Sequence, residues 1–145
     1  MSNARTYEDA FNLLCGRKIG AGIHRDVFEC SLDPTLVVKV EIDDDRMRNF
    51  ANVKEYGNWT VWRDVEPIAR WLAPCDRLSF DGRILLQKRV EPIKKSEAPT
   101  ALPTFLTDVK YDNYGWYDGR IVCIDYAFLV TDASAKKRSV KELWW

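Results

Sequence analysis

The stretch "LTDVKYDNYG" (residues 106–115) carries the most specific pattern of the chain and largely decides the fold. The spacing Asp-x-Lys-x-x-Asn is formed there by Asp108, Lys110 and Asn113. Asp125 follows shortly afterwards, in "IDYA". A loop followed by a short hairpin would return Asp125 to the side of Asp108, so that all four side chains could converge. The alternative is an ordinary acidic turn with the same composition.

Phosphoryl transfer needs these residue types close together. One aspartate orients the attacking hydroxyl or accepts its proton, and a lysine neutralises charge on the phosphoryl group. An asparagine and a second aspartate supply hard oxygen ligands for Mg²⁺. The pattern therefore favours a phosphotransfer loop over a solvated turn, provided that matching residues occur elsewhere in the chain.

Composition is that of one globular domain. The 145 residues are 46% apolar and 30% charged, and the 22 basic and 22 acidic side chains give a formal net charge of zero, which argues against a dedicated polyanion binder. No apolar run approaches the length of a membrane span, and the polar start lacks the apolar region of a signal peptide. The four widely spaced cysteines, with only His24 to assist them, indicate reduced thiols rather than a metal site. We expect a soluble, cytoplasmic protein without membrane contact.

Hydrophobic patterning predicts an α+β fold. A helix in "TYEDAFNLLCG" precedes three antiparallel strands, and a helix begins in the acidic run after the third strand. The predicted strands are "RKIGAG", "DVFECSL", "TLVVKVEI", "DRLSF" and "RILLQKRV". They form a five-stranded antiparallel sheet with one inserted helix. A hairpin turning at "YDGR" and a basic tail, predicted to be a short helix, complete the chain.

We interpret the whole chain, residues 1–145, as a single domain with four parts. The order is the sheet with its helix (1–90), a linker rich in proline and charge (91–104), the loop and hairpin (105–128) and the basic tail (129–145).

Two further patterns precede the loop. Gly20 and Gly22 lie in "GAGIHRDVF", where the lack of a Cβ lets backbone amides approach an anion, although a plain hairpin turn has the same appearance. Lys39 interrupts an apolar strand and needs an anionic partner if it is buried. Glu55 of the following helix could be that partner. The alternatives are a lysine facing solvent and a glutamate paired with a neighbour on its own helix.

Taken together and in this order, the patterns resemble the protein-kinase-like superfamily, in a strongly reduced form. The resemblance implies that ATP and Mg²⁺ are the cofactors, Asp108 is the catalytic base and Lys110 accompanies it. It also implies that Asn113 and Asp125 bind the metal. The residues implied to bind the nucleotide are Gly20, Gly22, Val27, Val37, Lys39, Glu55, Gln87, Lys88 and Val90. Within this set Lys39 pairs with Glu55 and the phosphates, the two valines cover adenine, Gln87 is the gatekeeper, and the backbones of Lys88 and Val90 bond the base.

Several positions depart from the family pattern. Arg25 replaces the third loop glycine, Leu106 and Thr107 precede the catalytic aspartate, and Tyr126 and Ala127 follow the metal aspartate. The second lobe is almost absent, because only residues 91–107 separate the hinge from the loop and only residues 126–145 follow Asp125. An activation segment does not fit.

Two functions follow from the resemblance. One is a minimal phosphotransferase that moves the γ-phosphate of ATP to a protein hydroxyl, which the retention of all five charged or amide site residues favours. The other is a pseudokinase-type module that binds a partner protein without catalysis, which the missing lobe favours. The basic tail with its two tryptophans could contact a partner or replace the core of the missing lobe. A second copy of the chain could also restore what is lacking, whereas nucleic-acid binding fits poorly with the zero net charge.

Overall fold

The structure of the protein is a computed structural model that describes residues 4–42, 49–128 and 134–145. Its helices are α1 (Ala4–Leu14), α2 (Ala51–Trp62) and α3 (Glu66–Ala69). Its strands are β1 (Cys15–Ala21), β2 (Arg25–Cys30), β3 (Leu36–Glu41), β4 (Cys75–Leu78), β5 (Ile84–Lys88), β6 (Glu91–Pro92), β7 (Ala101–Pro103), β8 (Tyr114–Tyr117), β9 (Arg120–Cys123) and β10 (Lys137–Ser139). The α+β class predicted from the sequence is confirmed. The acidic start of the predicted second helix, 43–48, lies outside the described residues.

The five-stranded sheet is antiparallel, in the order β1-β2-β3-β5-β4, with α2 inserted between β3 and β4. The prediction of this sheet and its inserted helix is confirmed. One side of the sheet has an apolar core made by Cys30, Leu36 and Val38, against which Phe28 packs. The Phe28 ring meets Phe11 of α1 edge to face, with ring centroids 5.3 Å apart. The neighbours of Val38 along β3 point to the opposite side because side chains alternate along a strand.

An ionic cluster lies on β2. Glu29 accepts hydrogen bonds from Arg17 at 2.9 Å and from Arg89 at 3.2 Å. Partial desolvation alone would raise the pKa of Glu29, but the hydrogen bonds and charges of Arg17 and then Arg89 hold that pKa below its usual value.

The chain divides into two compact units. The first contains residues 1–53 and 75–89, and the second contains residues 54–74 and 90–145. One of the changes between the units falls between Arg89 and Val90. Within the described ranges, the structure has no helix long and apolar enough to cross a membrane.

The second unit has a small sheet in the order β6-β8-β9. Strands β8 and β9 form the predicted hairpin, and its two-residue turn consists of Asp118 and Gly119 with φ angles of 49° and 74°. Two successive positive φ angles are the geometry that matches the twist of a tight hairpin. Gly115 of β8 lies so close to strand β6 that a Cβ at this position would be 2.7 Å from the Glu91 carbonyl oxygen.

The tail does not form the predicted helix in its described part. Residues 137–139 form β10, which pairs antiparallel with β7. Leu102 of β7 and Val140, just after β10, are both fully buried. Strand pairing and burial of these side chains outweigh the weak helical preference of a short basic segment. The first five residues of the tail, 129–133, lie outside the described residues.

Candidate functional site

In the first unit, three predicted site residues form one row across the sheet. Gly20 pairs with Val27, and Val27 pairs with Lys39. Side chains of directly paired residues project to the same face of a sheet. The glycine, the valine and the lysine therefore share the face opposite the Val38 core.

Two more predicted residues lie on the same face. Val37 is two positions from Lys39 on β3, and it pairs with Gln87 of β5. Because side chains repeat with a period of two, Val37 and Gln87 project in the same direction as Lys39. The structure thus brings together Gly20, Val27, Val37, Lys39 and Gln87, which lie in three separate stretches of the sequence.

This face is dry. Lys39 is 3% exposed and Val37 is 7% exposed, so the alternative of a lysine that faces solvent does not hold. Gln87 is fully buried, and its amide nitrogen lies 3.9 Å from the sulfur of Cys75. Its amide oxygen has no hydrogen-bond partner among the described residues. Lys88 belongs to the same unit but pairs with Leu36, which places its side chain on the other face; its predicted contact is through the backbone.

The glycine-containing turn joins β1 to β2. The N–H of Gly22 donates to the carbonyl of Arg25 at 2.8 Å, which closes a tight connection. Arg25 itself, the departure from the third glycine, is 8% exposed and donates to the side-chain oxygen of Asn52 at 3.2 Å. Asn52 in turn donates to the carbonyls of Lys39 and Arg83. The arginine therefore belongs to a buried structural network.

The central loop lies in the second unit, where Asp108 and Asn113 are in contact. The Asn113 amide nitrogen donates to the Asp108 carboxylate at 2.8 Å. A carboxylate only accepts, so this contact fixes the orientation of the amide and leaves the Asn113 side-chain oxygen available as an acceptor. Asn113 is 8% exposed, whereas Asp108 is exposed.

Asp125 is brought close to this pair by the backbone. The N–H of Ile124 donates to the Asn113 carbonyl at 2.8 Å, and β9, which leads to Asp125, pairs with β8, which leads away from Asn113. The Asp125 side chain is exposed. The hairpin thus returns Asp125 to the loop, as the spacing predicts.

Lys110 is flanked by the last residue of the sequence. The N–H of Trp145 donates to the Val109 carbonyl at 3.2 Å, and the N–H of Tyr111 donates to the Trp145 oxygen at 2.9 Å. The Lys110 ammonium lies 5.0 Å from the centre of the Trp145 ring, within the range of a cation–π contact. The tail therefore holds the loop on both sides of its lysine.

Neighbouring aromatic residues extend this contact. Trp144 stacks on Tyr111 and meets Tyr114 edge to face. Burial is the main cause of the raised pKa of Tyr114, and nearby Cys123 and Asp108 raise it further. The Trp144 indole nitrogen donates to the Pro99 carbonyl at 2.9 Å.

Glu55 and Val90 also belong to the second unit. Glu55 is fully buried in α2, and its carboxylate accepts the backbone N–H of Tyr126 at 2.8 Å. The predicted interaction of Glu55 with Lys39 joins residues of different units and stays a prediction. The Val90 side chain packs closely against Gly115. The predicted hydrogen bond between the Val90 backbone and a nucleobase stays a prediction.

The donor set of the loop fits Mg²⁺. In the part of the chain that the structure describes, no group of three or more His, Cys, Asp or Glu side chains could hold a metal ion. Asn113 and Asp125 instead offer hard oxygens from only two residues. Mg²⁺ is commonly bound by one or two carboxylates together with substrate phosphates and water, so such a set suits a metal that arrives with a nucleotide.

Sequence reasoning missed the supporting residues. In the sequence Asn52 and Asn58 are ordinary polar residues of a helix, and Tyr126 is only a departure from the family pattern. Their contacts are with backbone groups distant in the chain. An asparagine on the core-facing side of a predicted helix is the one sequence signal that could have indicated these supporting residues.

Comparisons with known proteins do not assign the chain to a family. No protein-family model matches the chain, and no curated protein matches it. Among solved structures, the gentamicin-APH(2")-IIa complex aligns with a TM-score of 0.41 and 18% identity. The alignment covers 65% of this chain and 30% of that chain, so the similarity spans less than a third of the solved protein. Similarity of this extent establishes neither a common fold nor a common activity.

Proposed function

We propose that this protein is a reduced protein-kinase-like protein that binds ATP with Mg²⁺ and transfers the γ-phosphate to a protein hydroxyl. The observation that carries the proposal is the clustering of the Asp-x-Lys-x-x-Asn loop with Asp125. Asn113 donates to Asp108 through its side chain and accepts from Ile124, next to Asp125, through its backbone. An isolated acidic turn would not need the second contact.

The sheet gives independent support. Five residues that the resemblance assigns to the nucleotide lie on one face of the sheet, and one of them, Lys39, is a buried cation. A buried lysine favours an anion near it because an uncompensated charge in a dry environment is costly. In the proposed complex Lys39 contacts the nucleotide phosphates, and Val27 and Val37 lie against the adenine ring.

Each loop residue then has a chemical task. Asp108 is exposed and can accept the proton of an incoming hydroxyl, while Asn113 holds its carboxylate in place through the 2.8 Å hydrogen bond. Lys110 can neutralise charge on the phosphoryl group. Asn113 and Asp125 would hold Mg²⁺, which supplies charge neutralisation on the phosphates when bound.

The test separates binding from transfer. ATP with Mg²⁺ should raise the melting temperature of the purified protein, since a ligand that binds only the folded state stabilises it. Labelled ATP should then transfer phosphate to the protein or to an added protein substrate. Asp108→Asn keeps an acceptor for the Asn113 amide but loses the base, so transfer should fall by at least about 100-fold while nucleotide binding is retained.

Asp112→Asn is the matched control, because Asp112 is an exposed acid of the same loop with no role in the proposal. Equal transfer by the wild type and Asp108→Asn would refute the base assignment. Absence of any thermal shift with ATP, with or without Mg²⁺, would refute nucleotide binding altogether.

A partner-binding module without transfer is the second candidate. Leu143 and Trp145 are 46% and 67% exposed at the end of a tail that is otherwise held against the protein. An exposed apolar pair beside lysines is a suitable contact for another protein. Nucleotide binding without transfer, combined with loss of partner capture on Leu143→Asp, would favour this function.

A further inference from the structure

Two side chains of α2 form hydrogen bonds with the backbone immediately after Asp125. Glu55 and Asn58 are three positions apart and therefore lie on one face of the helix. Glu55 accepts the Tyr126 N–H at 2.8 Å, and the Asn58 amide donates to the carbonyls of Tyr126 at 2.9 Å and Ala127 at 3.3 Å. The two side chains satisfy one donor and two acceptors of adjacent peptide groups. This segment cannot change its backbone conformation without breaking these bonds.

A second anchor is the Tyr126 side chain. Its ring is 1% exposed, and its hydroxyl donates to the Ala73 carbonyl at 2.6 Å. The N–H of Ala73 donates to the Cys123 carbonyl at 2.9 Å, just before Asp125. Ala73 therefore ties the chain on both sides of Asp125. A phenylalanine would fill the same buried space, so its substitution for Tyr126 removes the hydroxyl and little else.

The Asp125 side chain itself is exposed. The backbone that carries the carboxylate is nevertheless fixed on its C-terminal side by α2 and by Ala73. On its N-terminal side, it is fixed by the bond from Ile124 to Asn113. An exposed side chain on a rigid backbone is preorganised for a ligand, because less conformational freedom is lost on binding.

We propose that Asn58 and the Tyr126 hydroxyl are positioning residues that preset Asp125 for a divalent cation. This inference rests on the proposed function, since it assumes that Asp125 is a metal ligand. Partners that orient metal ligands typically change metal affinity by about 10-fold to 100-fold when they are removed. Positioning therefore predicts a loss of metal affinity without an equal loss of metal-free nucleotide binding.

The experiment compares Asn58→Ala and Tyr126→Phe with the wild type and with Thr60→Ala. Thr60 lies on the same helix, but it is exposed and its hydroxyl bonds only the Tyr56 carbonyl of its own helix. Mn²⁺ affinity is measured by electron paramagnetic resonance in the presence of ATP, and ATP affinity without metal is measured by calorimetry. We expect Mn²⁺ affinity to fall about 10-fold in Asn58→Ala and by at least about threefold in Tyr126→Phe. Metal-free ATP affinity should change by less than about twofold, and Thr60→Ala should resemble the wild type.

Hydrogen exchange of the ligand-free protein distinguishes positioning of Asp125 from general destabilisation. Amide hydrogen exchange at residues 124–128 should be faster in Asn58→Ala, while exchange in the β1-β2-β3 sheet is unchanged. Uniformly faster exchange would mean general destabilisation and would overturn the inference. Unchanged exchange at 124–128 would also overturn it.

Asp125→Asn distinguishes the two levels of the proposal. If Asp125→Asn abolishes Mn²⁺ binding but Asn58→Ala and Tyr126→Phe bind as the wild type does, the positioning role is wrong and the proposed function stands. If Asp125→Asn binds Mn²⁺ normally, the metal assignment itself is wrong, and the positioning role falls with it.

Discussion

Replacing Trp144 by alanine should cost about 3 kcal/mol of folding free energy. Trp144 forms two ring contacts, with centroids 5.2 Å from Tyr111 and 5.1 Å from Tyr114. Each such pair contributes about 1 kcal/mol. The mutation also removes the indole N–H that donates to the Pro99 carbonyl, and a hydrogen bond of this kind contributes about 1 kcal/mol. The sum lies at the low end of values for removal of a buried tryptophan, about 3 to 5 kcal/mol, which fits a partly buried ring.

The adjacent Trp145 provides the matched control. Its side chain is 67% exposed, and its ring has one cationic neighbour, Lys110, at 5.0 Å. An exposed cation–π contact contributes about 0.5 kcal/mol, and the backbone bonds of Trp145 survive substitution by alanine. Trp145→Ala should therefore cost about 0.5 kcal/mol. Two tryptophans that look alike in the sequence should differ severalfold in their effect.

Urea denaturation followed by circular dichroism measures both variants. The slope of the free energy against urea should be unchanged, so that a shift of the midpoint reports stability. Trp144→Phe, which can keep a ring contact but lacks the N–H, should lose about 1 kcal/mol. Equal destabilisation by the two alanine variants, or a loss below about 1 kcal/mol for Trp144→Ala, would refute the contribution assigned to these contacts.

Two further predictions concern backbone space and pH. Gly115→Ala should destabilise the protein by about 1 to 3 kcal/mol because the new Cβ would lie 2.7 Å from the Glu91 carbonyl oxygen. Gly57→Ala in α2, where nothing lies within 4 Å, should stabilise it by about 1 kcal/mol, and the opposite signs in thermal melts would check both. The lowered pKa of Glu29 means that its ion pairs stabilise the fold above the unfolded pKa of about 4.3, and that this stabilisation is lost as the pH falls through the folded value. The difference in melting temperature between the wild type and Glu29→Gln should therefore be present at pH 7 and shrink as the pH falls below about 4.3; a constant difference would contradict the pairing.

The sheet could be predicted because its signals are local. β-branched runs such as "LVVKV" around Lys39 identify strands directly, and the "YDGR" turn specifies the hairpin. The tail could not be predicted in the same way. Its basic residues have no strong preference, and β10 exists only because β7, some 35 residues away, offers an edge to pair with.

In the candidate site, too, local patterns could be predicted from the sequence and long-range contacts could not. Spacing alone made Asp108, Asn113 and Asp125 candidates. Strand register then placed Val27, Val37 and Lys39 on one face of the sheet, a relation that no single sequence pattern contains. The contacts that fix the loop are not local: Trp145 bonds residues 109 and 111, and Tyr126 bonds Ala73. Their energy depends on distances between segments that the sequence does not specify.

These contacts change how the retained polar residues bear on function. From the sequence, retention of Glu55 and Asn113 favoured an enzyme, because packing gave no reason to keep them. The structure supplies such reasons: Glu55 accepts the Tyr126 N–H inside the protein, and the Asn113 backbone and amide tie the loop together. A non-catalytic module would keep both residues, since removing a buried hydrogen-bonding partner costs about 1 to 3 kcal/mol.

The choice between an enzyme and a binding module therefore depends mainly on the exposed carboxylates, Asp108 and Asp125. Replacement of an exposed side chain usually changes stability by less than about 0.5 kcal/mol. Asp108 accepts the Asn113 amide, and asparagine at position 108 keeps an acceptor, so the Asn variants test whether the fold needs the charge. If Asp125→Asn and Asp108→Asn leave urea stability unchanged and yet abolish Mn²⁺ binding and transfer respectively, these residues are kept for chemistry. If instead either variant unfolds as readily as Glu55→Gln, the carboxylates support the loop, and the case for an enzyme over a binding module loses its strongest residues.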